Sequence, residues 1–113
     1  MTQRPAVQRL GEVEQLVLLA LVRLDGPAYA VPIRELIADR AGVELSRATI
    51  YITLDRLERK GLLESVISEP TGKPGGKGRR MFRLRLAGLA SLKAARRAVD
   101  RLAEDTALAK VTS

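Results

Sequence analysis

The chain has 113 residues, which is enough for one small domain and too few for two. It contains neither cysteine nor histidine, which excludes thiol nucleophiles, disulfides, the common zinc sites and imidazole acid–base chemistry, so we expect no metal and no cofactor. Its 20 lysines and arginines outnumber 13 acidic residues and leave a net charge of +7. An excess of this size is typical of proteins that bind nucleic acid.

The N-terminal part is predicted to consist of an arm, residues 1–11, and a first helix, residues 12–24. Apolar residues follow the 3.6-residue period of a helix on one face and occupy much of the other face as well. A helix that is apolar nearly all round must be covered on more than one side. We therefore expect Leu16 and Leu19 to contact a second copy of the chain. The apolar run 16–22 is too short to cross a membrane and no export signal precedes it, which favours a cytoplasmic protein.

Two further helices are predicted over residues 32–40 and 46–60, after a break at the Gly-Pro turn of residues 25–28. Ser46 has the hydroxyl that commonly caps a helix N-terminus. Gly61 is the residue at which the third helix is expected to end. Two short helices with a turn between them predict a helix-turn-helix unit.

The third helix combines a buried face with an exposed face of unusual chemistry. Ile50, Leu54 and Leu57 fall within roughly 60° of one another on a helical wheel, which predicts that they point into the core. The opposite side combines arginines with an isoleucine; arginine can fork onto guanine, and small apolar groups can contact thymine methyls. Hydroxyls and the free N–H groups of a first helical turn can hold phosphates. The helix is thus predicted to bind double-stranded DNA through Ser46, Arg47, Ala48, Thr49, Tyr51, Ile52, Arg56 and Arg59.

Residues 62–68 and 80–86 are predicted to be two strands, joined by the Gly- and Pro-rich loop 69–78. A helix-turn-helix followed by such a hairpin has the order of a winged helix-turn-helix. The predicted fold is therefore mainly α with a small β-hairpin. The wing is expected to contact the DNA backbone through Lys73, Lys77, Arg79 and Arg80. The alternative for both the helix and the loop is an ordinary solvated surface.

A last helix is predicted over residues 87–110, with a heptad seam formed by Leu92, Ala95, Val99, Leu102, Thr106 and Ala109. The seam favours dimerisation, although packing on its own domain is the alternative. The chain is thus divided into the arm (1–11), a winged helix-turn-helix domain (12–86) and a dimerisation helix (87–113). The predicted dimer interface comprises Leu16, Leu19, Leu89, Leu92, Val99 and Leu102. A twofold dimer would place two DNA-reading helices roughly 34 Å apart and require an inverted-repeat site.

Three segments carry a family resemblance: LGEVEQLVLLALVRL (10–24), LSRATIYITLDRLERKGLL (45–63) and GRRMFRLRLAG (78–88). They resemble the PadR family of bacterial winged-helix transcription regulators, over about residues 10–88. The resemblance implies a homodimeric repressor in which Ser46, Thr49 and Tyr51 touch DNA. The single C-terminal helix resembles the short subfamily, which dimerises through its first and last helices. Ile52 departs from the family, which often has proline there.

The predicted function is a sequence-specific double-stranded DNA-binding transcriptional regulator, a homodimeric repressor associated with the nucleoid. The alternative is a winged-helix adaptor that binds an acidic protein partner, which the fold by itself does not distinguish. An enzyme is not expected, because the chain has no histidine or cysteine. In addition, the glycine-rich run 72–78 lacks the spacing of a phosphate-binding loop. Some short members of the resembled family bind flat aromatic drugs between aromatic walls. This chain has no Trp and few aromatics, so the sequence does not support a small-molecule effector.

Overall fold

The computed structural model describes residues 9–68 and 79–111. Most of the predicted arm and the wing residues Lys73 and Lys77 lie outside these ranges. The described elements, in chain order, are α1 (Glu12–Leu24), α2 (Ala30–Ala41), α3 (Arg47–Arg59), β1 (Leu63–Ile67), β2 (Arg80–Leu84), α4 (Leu86–Ala103) and α5 (Ala107–Val111). The predicted fold class, mainly helical with a small hairpin, is confirmed.

The core is aliphatic except for Phe82 and surrounds α1, against which α2, α3 and α4 pack. Val17 and Leu18 of α1 are completely buried. Ile50, Leu54 and Leu57 of α3 are buried as the sequence predicts. Burial of each such side chain contributes about 1.5–3 kcal/mol. This burial fixes the rotation of α3 about its axis and therefore decides which of its residues face outward.

The hairpin is a two-stranded antiparallel sheet in which Ser65 of β1 lies opposite Phe82 of β2. Phe82 is fully buried and also exchanges backbone hydrogen bonds with Ala28, which lies in the turn between α1 and α2. The two N···O distances are 2.9 and 2.8 Å. The sequence predicted only a helix break at this turn. The extra bridge and the buried ring hold the base of the wing against the helical body.

Helix α4 crosses the segment before β1 at Gly88, where no side chain fits. A Cβ at this position would lie 2.1 Å from the Leu62 carbonyl oxygen and 2.8 Å from a Leu84 methyl carbon. The same Leu62 oxygen accepts a hydrogen bond from the Arg85 N–H at 3.1 Å. Leu92, one turn further along α4, is 3% exposed. The first half of α4 therefore belongs to the core of its own domain.

The structure corrects two predictions about the last helix. Leu92 was expected in a dimer interface, but its burial in the core leaves almost no surface for a second copy. The helix also ends at Ala103 instead of near residue 110. Asp105 adopts a left-handed φ of 59°, and the Thr106 hydroxyl donates to the Ala103 carbonyl at 2.5 Å. Such a local side-chain bond competes with the backbone bonds of a helix, so Thr106 and Ala109 do not continue the predicted seam.

Candidate nucleic-acid interface

The first turn of α3 is held by the predicted cap. Ser46 Oγ accepts a hydrogen bond from the Thr49 N–H at 3.0 Å and donates to Thr49 Oγ1 at 2.9 Å. The cap satisfies one of the N–H groups that the first turn of a helix leaves without a partner. Immediately before it, Arg34 Nε donates to the Leu45 carbonyl at 2.6 Å and ties the connecting segment to α2. The start of α3 is therefore ordered by the protein itself.

The residues of α3 that were predicted to bind DNA all reach the surface. Ile52 is 54% exposed, and Thr49 is half-buried behind the cap. Arg47, Arg56 and Arg59 are exposed, and among the described residues none of the three forms an ion pair. Ala48 and Tyr51 are exposed on the same helix. The face thus combines forked cationic donors with small apolar groups, which is the chemistry that major-groove base edges require.

A cleft of about 220 Å³, here called the basic cleft, lies where α2, α3 and the segment entering β2 meet. Its lining consists of Arg34, Arg47, Arg79 and Tyr51 together with apolar residues, and among the described residues no acidic side chain lines it. The guanidinium carbon of Arg79 lies 5.2 Å from the centre of the Tyr29 ring, a cation–π contact. A phosphate group placed here would meet three cations and a phenol hydroxyl.

Two residues of this region, Tyr29 and Arg34, were not among the predicted site residues. Arg34 lies on α2, which the sequence marks mainly by its buried stripe of Ile33 and Ile37. Tyr29 is the residue before that helix begins. No periodicity relates these side chains to Arg47 or Arg79, because the basic cleft exists only once three separate elements pack together.

Arg80 was predicted to contact phosphates, but the structure turns its guanidinium towards acidic side chains of α3. Nη1 donates to Asp55 Oδ1 at 2.7 Å and Nη2 pairs with Glu58. The guanidinium carbon lies 4.8 Å from the centre of the Phe82 ring. Burial alone would lower the pKa of Arg80, but the hydrogen bonds and charges of the two carboxylates raise it above its ordinary value. Arg79, one residue earlier, is exposed instead.

The model of the transcriptional regulator PadR-like family matches residues 18–94, which is more than half of the chain. The chain belongs to this family. A solved PadR family regulator from Eggerthella lenta is 29% identical with a TM-score of 0.63, and the match covers 90% of this chain and 87% of that one. A PadR-like transcription factor from Bacteroides fragilis is 26% identical with a TM-score of 0.67, covering 81% and 84%. No curated protein matches this chain.

The winged-helix architecture is also shared with Bacillus subtilis PadR, whose structure was solved in complex with operator DNA. That protein is 18% identical with a TM-score of 0.62, and the match covers 73% of this chain and 45% of PadR, so the likeness concerns the fold. The winged-helix prediction and the resemblance to PadR are confirmed. The protein is a PadR-like transcriptional regulator and not an enzyme.

In this PadR-like regulator the far end of α3 is held by a partly buried ion pair. Lys60 Nζ donates to Glu14 Oε2 at 2.6 Å and to the Arg9 carbonyl at 3.2 Å, while the Gly11 N–H donates to Glu14 Oε1 at 2.8 Å. Burial by itself would raise the pKa of Glu14, but the hydrogen bonds from Lys60 and Gly11 hold it below the ordinary value. This pair was not predicted from the sequence. Its signal was an acidic residue on the buried face of α1.

The described part of the PadR-like regulator lacks two features of other protein classes. None of its helices is both long and apolar enough to span a membrane. Within the same residues, no three acidic side chains are grouped so that they could hold a metal ion.

Proposed function

We propose that this PadR-like regulator is a homodimeric repressor that binds an inverted-repeat operator in double-stranded DNA. The observation that carries the proposal is the outer face of α3, where Ile52 is exposed and the arginines form no ion pair with the described residues. Arg47 of this helix also lines the basic cleft. The fold shared with Bacillus subtilis PadR, solved with operator DNA, supports it. Operator binding would place the protein in the cytoplasm, on the nucleoid.

The chemistry of each side chain assigns it a role in this proposal. Arg56 and Arg59 would fork onto guanine edges in the major groove, and Ala48 and Ile52 would contact thymine methyls. Backbone contacts do not read sequence but set the register of the protein on the duplex. For these we propose the hydroxyl-bearing and cationic residues around the cleft and on the wing, namely Ser46, Arg47, Thr49, Tyr51, Lys73, Lys77 and Arg79.

Two uncovered apolar surfaces support a homodimer. In the distal half of α4 Val99 is 63% and Leu102 is 85% exposed. An apolar groove of about 330 Å³ lies between α1 and α2, with Leu16 and Leu19 in its wall. Association of two copies would cover both surfaces, since a twofold interface uses the same patches of each chain. The proposed interface therefore contains Leu16, Leu19, Leu89, Val99 and Leu102.

Selection of bound fragments from a pool of random DNA duplexes tests the proposal. We expect an inverted repeat whose half-sites lie about one helical turn apart. The affinity should fall steeply with salt. A plot of the logarithm of the binding constant against the logarithm of the salt concentration should have a negative slope of about one for each phosphate contact. Equal affinity for selected and random duplexes at physiological salt would contradict sequence-specific binding. Capture of an acidic protein without any enrichment of DNA would support the adaptor function instead.

Substitutions on α3 sharpen the same test. Arg56→Ala and Arg59→Ala should each weaken the free energy of binding to the selected operator by about 1–3 kcal/mol. The loss on a scrambled duplex should be much smaller. Arg97→Ala is the matched control, because it removes an exposed arginine from α4 on the side away from the predicted seam. Fluorescence anisotropy with both duplexes measures the difference. A loss of equal size on operator and scrambled DNA would mean that these arginines do not read bases.

A further inference from the structure

Helix α3 carries two acidic residues, Asp55 and Glu58, close to the surface that we assign to DNA. Carboxylates near a phosphate backbone oppose binding, since the backbone attracts cations. Their presence on a recognition helix therefore requires another explanation. The side chain of Asp55 is 48% exposed and that of Glu58 is 32% exposed, and both carboxylates pair with Arg80 at the base of the wing.

The contacts of Glu58 join three elements. One carboxylate oxygen accepts hydrogen bonds from the Ser65 N–H at 2.9 Å and the Ser65 hydroxyl at 2.6 Å, both from β1. The other oxygen pairs with Arg80 of β2, which also reaches Asp55. The Ser65 hydroxyl is the largest influence on the pKa of Glu58; with Arg80 it outweighs burial and holds that pKa below the ordinary value.

The wing depends on such contacts for its position. A two-stranded hairpin is at best marginally stable by itself in water, and it needs tertiary contacts to be held in one orientation. On one side the wing is held by the Ala28 bridge and the buried Phe82 ring. On the side of α3 its described polar contacts are those of Glu58 and Asp55 with Ser65 and Arg80.

We propose that Asp55, Glu58, Ser65 and Arg80 form a clasp that fixes the wing relative to α3, so that the two bind DNA as one rigid unit. Arg80 is then a positioning residue and not a phosphate contact. Arg79, its neighbour, points to the basic cleft and is the phosphate contact of the pair. The inference rests on the proposed function, because a clasp matters for DNA only if α3 and the wing bind it.

The clasp and simple electrostatics predict opposite effects of Glu58→Ala on DNA affinity. Glu58→Ala raises the net positive charge, which by charge alone should strengthen DNA binding. Loss of the clasp should instead weaken binding to the selected operator by about tenfold, the size expected for one coupled network. Arg80→Ala should weaken it by a similar factor. The double variant should be about tenfold weaker, not a hundredfold, because both changes break the same clasp.

Two matched controls separate charge from position. Glu35→Ala removes an exposed acidic residue from α2 and should leave operator affinity unchanged or slightly increased. Arg79→Ala removes a cation without touching the clasp, so it should weaken binding to all duplexes and lower the salt slope by about one. Hydroxyl-radical footprinting maps the DNA contacts of the wing and of α3 separately. A general loss of stability would weaken both sets of protections, whereas loss of the clasp should weaken only one. In Glu58→Ala the protections made by the wing should fade while those made by α3 persist.

Circular dichroism would show whether Glu58→Ala lowers the folded fraction of the protein. If it does, Asp55→Asn tests the clasp instead. Asp55 lies at the more exposed end of the clasp, and this nearly isosteric change should also weaken operator binding. Unchanged or tighter binding by both acidic-residue variants, or additive losses in the double variant, would overturn the clasp. If Arg56→Ala and Arg59→Ala have no specific effect either, the proposed function itself fails. If they weaken binding and Glu58→Ala does not, only the clasp fails.

Discussion

Helices α3 and α4 both expose aliphatic side chains among charged ones, yet the protein holds them very differently. Helix α3 is held at its start by Ser46, at its end by the Glu14–Lys60 pair and along its inner face by buried aliphatic residues. Among the described residues, helix α4 packs on the rest of the chain through its first turns, where Gly88 and Leu92 are buried. Beyond Ala95 it is exposed as far as Leu102.

The difference shows that the role of an exposed isoleucine or leucine depends on how firmly its helix is packed against the rest of the protein. A DNA-reading helix needs its side chains in fixed positions, because base edges are recognised by directed hydrogen bonds and close apolar contacts. A dimerisation helix can obtain its order from the partner, because a second copy covers the same seam. The exposed Ile52 on the rigid helix suits the first use, and the exposed Leu102 on the unsupported helix suits the second.

The largest effect is expected at the unsupported end of α4. Leu102→Asp would place a charge in the seam of both copies, and an uncompensated buried charge costs about 3–5 kcal/mol. The variant should be a folded monomer in analytical ultracentrifugation at concentrations where the parent chain is a dimer. Ala90→Asp, the same charge change at an exposed position on the side of α4 away from the seam, should remain a dimer. A dimer in both variants would show that α4 is not the interface.

A smaller effect is expected at the supported end of α4. Alanine is favoured over glycine in a helix by about 1 kcal/mol, but a Cβ at Gly88 would lie 2.1 Å from the Leu62 carbonyl oxygen. Overpacking of this kind typically costs about 1–3 kcal/mol, and backbone cannot move aside as a side chain can. Gly88→Ala should therefore lower the free energy of unfolding in urea by about 2 kcal/mol.

The exposed Ala90 provides the contrasting substitution for Gly88. Ala90→Gly, two residues along the same helix, should lower the free energy of unfolding by only about 1 kcal/mol, because glycine has a lower helix propensity than alanine. A stabilised Gly88→Ala variant would mean that α4 is not packed closely on the wing.

The smallest effect concerns the far end of α3. The folded state lowers the pKa of Glu14 below its ordinary value of 4.5, so its ion pair stabilises the fold above that pH and is lost as the pH falls through the lowered pKa. Glu14→Gln should lower the free energy of unfolding by about 1 kcal/mol at neutral pH. The variant should then lose less stability than the parent chain as the pH falls. Denaturation in urea at several pH values measures both. Glu44→Gln, at an exposed position, should keep the acid sensitivity of the parent chain.

Local patterns predicted the elements well, because local physics governs them. The Ser46 cap, the buried stripe of α3 and the Gly61 end of that helix depend on residues within one or two turns of each other. The end of α4 was harder, because heptad spacing continues through Asp105 and Thr106 although the backbone does not. Heptad spacing also does not distinguish Leu92, which packs on its own domain, from Val99, which does not.

The sequence by itself determined the order of helices and strands, the apolar side of each helix and the excess of positive charge, because these follow from neighbouring residues and composition. Only the tertiary structure decided the direction of each arginine. Arg79 and Arg80 are adjacent and identical in type, yet one faces the basic cleft and the other faces Asp55 and Glu58. The reason is that the partners of a long, charged side chain come from distant parts of the chain, and folding alone brings them within hydrogen-bond distance.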